Sequence, residues 1–390
     1  MIKRNPHDLL THKRFDVVIK YLYAANLSSK FYKQMYKSHL QAWNEFKEGY
    51  PYKRGFEDFD KAFKSIINRL DETPPIPVNS EGHIPNGAHR LAAALHLNKF
   101  IDTRDTENNE NENCTIISDY KLFIRKGLKK FCMQRAAIEY AKLKSNSYVI
   151  CLFPIAHTRM WEVKNIIQEY ANIFYESTEE LNSTGQLGLM KEIYFLEGWA
   201  NEAGIKRKSD QCFRGEQQVT FILIDADSLE TVKKMKAKIR SLFNVGNHSV
   251  HICDYHEDAI RIAKTVFNDN SIHFLNNRKN VSFPNHTKLM ANMKPNDNQV
   301  ITSSAVLSLY GLRDCRDLDL IYYDKEPADS HNKFLKNHYQ LSLDDIVNDP
   351  RCYLHYQGFK YASLDVVKKM KQVRGEVKDA KDLKLIGQIK

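Results

Sequence analysis

The sequence has no Cys-x-x-Cys pair among its seven cysteines, which stand at 114, 132, 151, 212, 253, 315 and 352. An odd, scattered set excludes a disulfide scaffold and a cysteine zinc site, and it predicts a reducing compartment, the cytoplasm. No run approaches the roughly 18 apolar residues of a transmembrane helix. Met1-Ile-Lys-Arg-Asn-Pro leads into no apolar stretch, so no secretory leader is expected. No internal repeat is visible, which sets aside solenoids and propellers. The basic residues do not gather into a one-sided patch, and no helix-turn-helix reader stands out. Both absences count against nucleic acid as a partner.

What is present is an ordinary globular composition, 42% hydrophobic and 27% charged, over 390 residues. That length predicts two or three domains. The net charge is +10, from 58 Lys+Arg against 48 Asp+Glu. Such a balance favours anionic partners, above all nucleotides and phosphorylated substrates. Acids are interleaved with most of the basic residues, which read as solvated helix faces. The oligomeric state leaves no mark in the sequence.

Periodicity predicts a multidomain α/β chain. A helical lead and a small unit fill 1–101, followed by a polar, Asn-rich linker at 102–114. A central α/β domain is expected over 115–280, a second linker over 281–299 and a C-terminal domain over 300–390. Helical spacing runs through 8–50, with a break at Gly49-Tyr-Pro-Tyr, and through 56–70, 87–98, 120–143, 163–170, 229–243 and 257–267. Strand patterns cover 148–153, 173–175, 218–225, 249–254 and 271–277.

Three segments carry chemistry. In Asn86-Gly-Ala-His-Arg, Gly87 permits a tight turn and close approach to a ligand. His89 and Arg90 fall in the first turn of the next helix, where free N–H groups and the helix dipole favour a phosphate. Residues 55–100 resemble the ParB/sulfiredoxin-like fold, in which a Gly-x-His-Arg turn between a short strand and a helix binds nucleotide phosphates. The resemblance implies that Gly87, His89 and Arg90 hold phosphate, with His89 a catalytic candidate. Ala88 stands where sulfiredoxin carries its cysteine. Asn86 stands where the serine kinases of this fold carry an acid.

In the second segment, Asp317 and Asp319 alternate with leucines. On a strand both carboxylates would share one face and repel unless a cation lay between them. Mg²⁺ completed by substrate phosphates is the standard solution. Ser303 and Ser304 lie one helix upstream, within reach of a triphosphate. The segment resembles the nucleotidyltransferase superfamily signature, and 356–388 resembles the closing helix of the minimal transferases, with Lys371 on that helix and a Lys-Asp-x-x-Asp end. The resemblance covers about 300–388. It implies Mg²⁺ on Asp317 and Asp319 as the catalytic pair, with Ser303, Ser304 and Lys371 at the nucleotide. Ser303 replaces the family's glycine, and no third carboxylate occupies 352–356.

The third segment, Asn247-His-Ser-Val-His-Ile-Cys-Asp-Tyr-His-Glu-Asp, runs from a strand end into a helix start. Sites in open α/β sheets lie at such ends. His248, His251, Asp254, His256 and Glu257 offer either a divalent-metal site or acid–base groups.

Together these segments predict an Mg²⁺-dependent nucleotidyl- or phosphotransferase. It would use a nucleoside triphosphate and a small phosphorylated or hydroxylated acceptor, a chemistry that suits surface-polysaccharide synthesis by analogy. Two alternatives stand beside it. One is a small-molecule kinase at the first segment; the other is a nucleotide-regulated binding protein with a degenerate transferase domain.

Overall fold

The structure is a computed structural model that describes residues 1–43, 55–106, 118–195, 197–324 and 330–389. The expected break at 49–52 and the later part of the expected 102–114 linker lie outside the described residues. Mixed helices and strands in three separate small sheets make this a multi-unit α/β protein. Contacts divide the chain into two compact units. One comprises 1–147 with 172–175, and the other 148–171 with 176–390.

The first unit holds β1 (Ile2–Arg4), β2 (Ile76–Val78) and β3 (Ile101–Asp105) in the order β1-β3-β2. β1 pairs with β3 antiparallel and β2 with β3 parallel. Pro77 lacks an N–H, and β2 is an edge strand, where a proline is tolerated. Residues 102–105, expected as linker, are the greater part of β3, the middle strand. Ile101 and Thr103 are buried there, and a polar composition did not prevent pairing.

The expected helix over 8–50 is three helices among the described residues: Pro6–Leu9, Phe15–Ala25 and Lys30–Ala42. Side-chain caps from Asn5 and Ser29 start the first and third. The second helix packs against the helix Ala88–Leu97; Phe15, Val18, Ile19 and Leu22 of the one and Leu91, Ala92 and Leu95 of the other are buried. The expected boundary near 101–115 falls instead at about 147. The helices Tyr120–Arg125 and Lys130–Leu143 belong to this first unit, where Phe15 stacks on Phe174 and Phe174 on Tyr140.

The central sheet has the order β5-β6-β4-β7, with β4 (Ser147–Leu152), β5 (Asn172–Glu180), β6 (Gln218–Asp225) and β7 (Val250–Ile252). Residues 219–225 of β6 are all buried, as a strand covered on both faces requires. β7 is an edge strand antiparallel to β4, with Cys151 opposite His251. The helix Leu229–Ser241 begins at a cap from Ser228 onto the Thr231 N–H and buries Val232, Met235 and Ile239.

Residues 271–277, expected as strand, lie in the helix Asp269–Asn277. The Asn268 carboxamide accepts from the Ser271 N–H at 2.8 Å and starts it. The expected linker 281–299 contains the helix Pro284–Ala291. Proline stands at its first position, and Asp314 accepts from the Asn285 and His286 N–H groups.

The third sheet, in the same unit, runs β10-β11-β8-β9: β8 (Gln299–Thr302), β9 (Asp319–Tyr322), β10 (Tyr353–Tyr356) and β11 (Phe359–Ala362). β8 pairs antiparallel with β9 and parallel with β11. No helix among the described residues is long and apolar enough to cross a membrane.

Candidate functional site

In the first unit, Gly87 has φ +105° and precedes the helix Ala88–Leu97. A Cβ there would meet Ile76 at 3.1 Å, so the turn needs glycine for packing as well as for φ. The His89 Nε2 lies 2.8 Å from the Tyr36 hydroxyl, and its ring packs edge-on against Phe63 at 4.8 Å. The Arg90 guanidinium donates to the carbonyls of Pro74 and Pro75, the latter at 3.0 Å. Both side chains expected to meet a phosphate fasten the helix to its own unit. Arg90→Ala should therefore lower stability by about 0.5–1.5 kcal/mol, the net loss of hydrogen bonds to carbonyls that water can reach. Nucleotide affinity should stay unchanged. Denaturant unfolding and a nucleotide titration of the same variant check both halves.

In the C-terminal sheet, Asp319 opens β9 opposite Thr302, while Asp317 lies exposed before the strand. The expected pair of carboxylates on one strand face is not formed, because the strand starts two residues too late. Asp319 Oδ1 is 2.9 Å from His331 Nε2 and also accepts from Ser303. Burial pushes this carboxyl up, but His331 and Ser303 outweigh it and hold it below the usual range. His331 Nδ1 reaches the Tyr339 hydroxyl at 3.0 Å, and that hydroxyl lies 3.2 Å from Thr302 Oγ1.

This donor set does not fit the expected Mg²⁺ site. Among the described residues no three His, Cys, Asp or Glu side chains are placed to share a metal. Ser303 is buried with φ +57°, a conformation natural to glycine, and Ser304 begins a six-residue helix. Lys371 is 1% exposed and bound to Asp379 at 3.2 Å and Asp382 at 2.6 Å, turned away from any nucleotide role.

The histidine segment does reach a cavity. It encloses about 650 Å³ between β7, the helices Glu202–Phe213 and Leu229–Ser241, and residues Tyr194, Glu197, Trp199 and Asn201. On β7, Val250 and Ile252 turn into the core, so alternation sends His251 to the other face, onto the cavity. Its ring meets Tyr194 edge-on at 5.1 Å. Nε2 is sealed from solvent without a hydrogen-bond partner, and the ring lines the cavity. Burial, reinforced by Lys236, Lys208 and Arg240, holds the imidazole well below the ordinary histidine range, so it is neutral.

Four cations line the same space, Arg207, Lys208, Lys236 and Arg240, against two carboxylates, Glu197 and Asp254. Lys236 and Arg240 stand four apart on one helix and share a face. Lys236 donates to the Ile252 carbonyl at 2.8 Å and lies 3.4 Å from Asp254; Arg240 donates to the Val250 carbonyl at 3.4 Å. Both thereby clamp the strand that carries His251. Burial, with help from Arg240 and Lys236, depresses Lys208, and burial depresses Arg240. An anion would counter both effects.

Trp199 and Tyr194 form an aromatic wall, with ring centroids 4.7 Å apart. Of the other expected residues, His248 bonds Lys208 at 3.3 Å and lies 3.9 Å from Cys212 Sγ. His248, His256 and Glu257 do not line the cavity; the last two open the helix His256–Val266.

No family model matches the chain, and no curated protein matches it. Among solved structures it is similar to the orthorhombic crystal form of the Aquifex aeolicus nucleoside diphosphate kinase. The identity is 16%, over 29% of this chain and 89% of that one, with a TM-score of 0.22. A TM-score this low assigns neither fold nor chemistry.

The cations and Trp199 were the residues that sequence reasoning missed. Lys236 and Arg240 read as solvated because acids and other lysines surround them. The usable signal was their four-residue spacing on the helix leading into the histidine strand.

Proposed function

We propose that the chain is a phosphotransferase that takes a nucleoside triphosphate and receives its γ-phosphoryl group on His251. The carrying observation is a neutral imidazole on the wall of a cavity lined by four cations and two aromatic rings. Trp199 and Tyr194 offer the base a stacking surface. Arg207, Lys208, Lys236 and Arg240 oppose the phosphate charge, where fixed donors stabilise the charge that develops in transfer. Nδ1 attacks the γ-phosphorus, the bond to the β-phosphate oxygen breaks, and nucleoside diphosphate leaves. An acceptor oxygen then takes the phosphoryl group, the N–P bond breaks and the imidazole is restored; a hydroxyl acceptor releases its proton to solvent. The triphosphate arrives as its Mg²⁺ complex, so the ion comes with the substrate. Cys151, Cys212, Cys253, Cys315 and Cys352 are free thiols, which supports the cytoplasm as the setting.

A second reading, a nucleotide-regulated binding protein with a degenerate transferase domain, draws on one observation. Asp319, the best-placed carboxylate of the C-terminal domain, is occupied by His331 and Ser303.

Incubating the full chain with Mg²⁺ and γ-labelled ATP, CTP, GTP or UTP separates the two. Acid-labile, alkali-stable label on the protein is the expected result. Nucleotide binding with no label would sink the transferase and leave the second reading. Release of pyrophosphate would move the chemistry to nucleotidyl transfer.

Gly204 offers an independent check on the aromatic wall. A Cβ there would sit 2.5 Å from the Trp199 carbonyl oxygen, so Gly204→Ala must displace the Trp199 turn. Loss of one stacking partner should weaken nucleotide binding about tenfold. Isothermal titration reads this directly, and unchanged affinity would remove Trp199 from the binding surface.

A further inference from the structure

A second cavity, about 240 Å³, lies in the same unit as the first and shares none of its residues. Its walls are the helix Ser183–Ile193, the end of the helix Asp269–Asn277, the helix Pro284–Ala291 and the β10–β11 hairpin. Two cations open onto it, Lys191 and Arg278. Neither has a carboxylate partner among the described residues. Lys191 donates to the Asn280 side-chain oxygen at 3.0 Å, and Arg278 donates through Nη1 to the Tyr356 hydroxyl at 2.8 Å. The Arg278 guanidinium is held in place between aromatic faces, 5.5 Å from the Phe274 centroid and 5.3 Å from that of Tyr356. That stacking fixes the fork and leaves its remaining N–H donors unspent. Burial and the charge of Arg278 together lower the Lys191 ammonium. The His286 Nε2 also borders the space, buried and without a partner.

Two cations without an ion-pair partner, Lys191 feeling Glu202 only at a distance, and an orphaned imidazole nitrogen in one cavity select an anion with several acceptor oxygens. The other lining groups say what the anion is attached to. Ser282 brings a hydroxyl, Thr287 and Ser308, whose hydroxyls donate to backbone carbonyls, bring oxygens that can still accept, and Phe283, Leu309 and Phe359 bring apolar surface. The volume is little more than a third of the first cavity's, too small for the same ligand. We infer that this cavity binds the phosphomonoester of a small sugar or polyol, with Lys191 and Arg278 on the phosphate and the hydroxyl side chains on the carbon body. The inference stands on this cavity's own residues and does not depend on transfer through His251.

The test is calorimetric titration of the full chain with glycerol 3-phosphate, glucose 6-phosphate, inorganic phosphate and glucose, each alone. The esters should bind, glucose should not, and inorganic phosphate should bind more weakly than the esters. Lys191→Gln and Arg278→Gln should each weaken ester binding about tenfold or more, the loss of one charge-assisted contact. Arg240→Gln, in the first cavity, should leave it unchanged. Lys191 is half-buried and makes no aromatic stack, so its variant keeps the test decisive if Arg278→Gln fails to fold. Ester binding that survives Lys191→Gln but is lost in Arg240→Gln would assign the phosphate to the first cavity and overturn the inference. Binding of inorganic phosphate as tight as the esters would overturn the sugar or polyol part, and binding of none of the three phosphates would overturn the whole.

Discussion

His251→Gln is expected to remove acid-labile labelling from the chain and to slow phosphoryl transfer by about 10³-fold or more, as loss of a nucleophile does. Nucleotide affinity should hardly move, because the neutral ring adds nothing to the cavity's positive charge. Arg240→Gln should do the reverse, weakening binding first. The pH profile adds a second readout. Only the deprotonated Nδ1 can attack, and burial with four nearby cations, Lys236, Lys208, Arg240 and Arg261, holds the imidazole well below the ordinary histidine range. Protonation therefore begins only at acidity well beyond that of an exposed histidine, whose midpoint is about 6.5. Labelling rates should stay flat as pH falls through that value and decline only below it. An acid limb centred on the ordinary value would mean that the reacting group is some other, exposed histidine.

The second large effect concerns stability. Lys371, Asp379 and Asp382 form a buried knot, each 1–2% exposed, with Arg374 donating to Asp379 at 2.6 Å and Arg313 to Asp382 at 2.7 Å. Lys371→Met removes the cation shared by both carboxylates and leaves buried negative charge undercompensated. The expected loss is about 3–5 kcal/mol, read from urea unfolding. A shift under about 1 kcal/mol would show that the two arginines and water suffice. Acid should act on the same knot. Burial raises the Asp379 carboxyl, but Arg374 and Lys371 outweigh it and bring it to about 2. Its folded value lies below the unfolded value of about 3.9, so its contribution is full above about pH 4 and is lost as pH falls toward 2. The Lys371→Met protein should lose stability less steeply across that window than the wild type.

Where local pattern and tertiary context agree, the sequence is legible. The buried strand β6, the periodic helix Leu229–Ser241 and the polar alternation that turns His251 outward all follow from residue spacing. The misses have separate causes. Residues 271–277 carry a strand-like apolar run, yet they lie in a helix whose start the Asn268 side chain caps by accepting from the Ser271 N–H. Residues 102–105 look like linker because polarity outweighs their pairing role between β1 and β2. Asp317 and Asp319 are two apart in sequence, but strand geometry begins only at Asp319, so the spacing had no strand to act on. Gly87, His89 and Arg90 do form the turn and helix start that their motif implies. What the motif could not convey is that Tyr36 and the Pro74 and Pro75 carbonyls already engage the two side chains. The cationic cavity was invisible because its four charges come from two helices whose approach is a tertiary event.

The thiols around His251 have a consequence for how the protein endures oxidants and alkylating agents. Cys151 lies opposite His251 in the sheet, Cys212 lies beside His248, and the Cys253 sulfur accepts the Val149 N–H at 3.2 Å. Burial, with each other's charge, pushes the Cys151 thiol well above its usual value; burial pushes Cys212 up to about 11 and Cys253 up to about 12. A thiol attacks electrophiles and peroxides as its thiolate, and at neutral pH these three hold almost none. The sulfur atoms nearest the imidazole are thus chemically quiet filler, and peroxide or iodoacetamide would spend itself elsewhere on the chain before silencing this region.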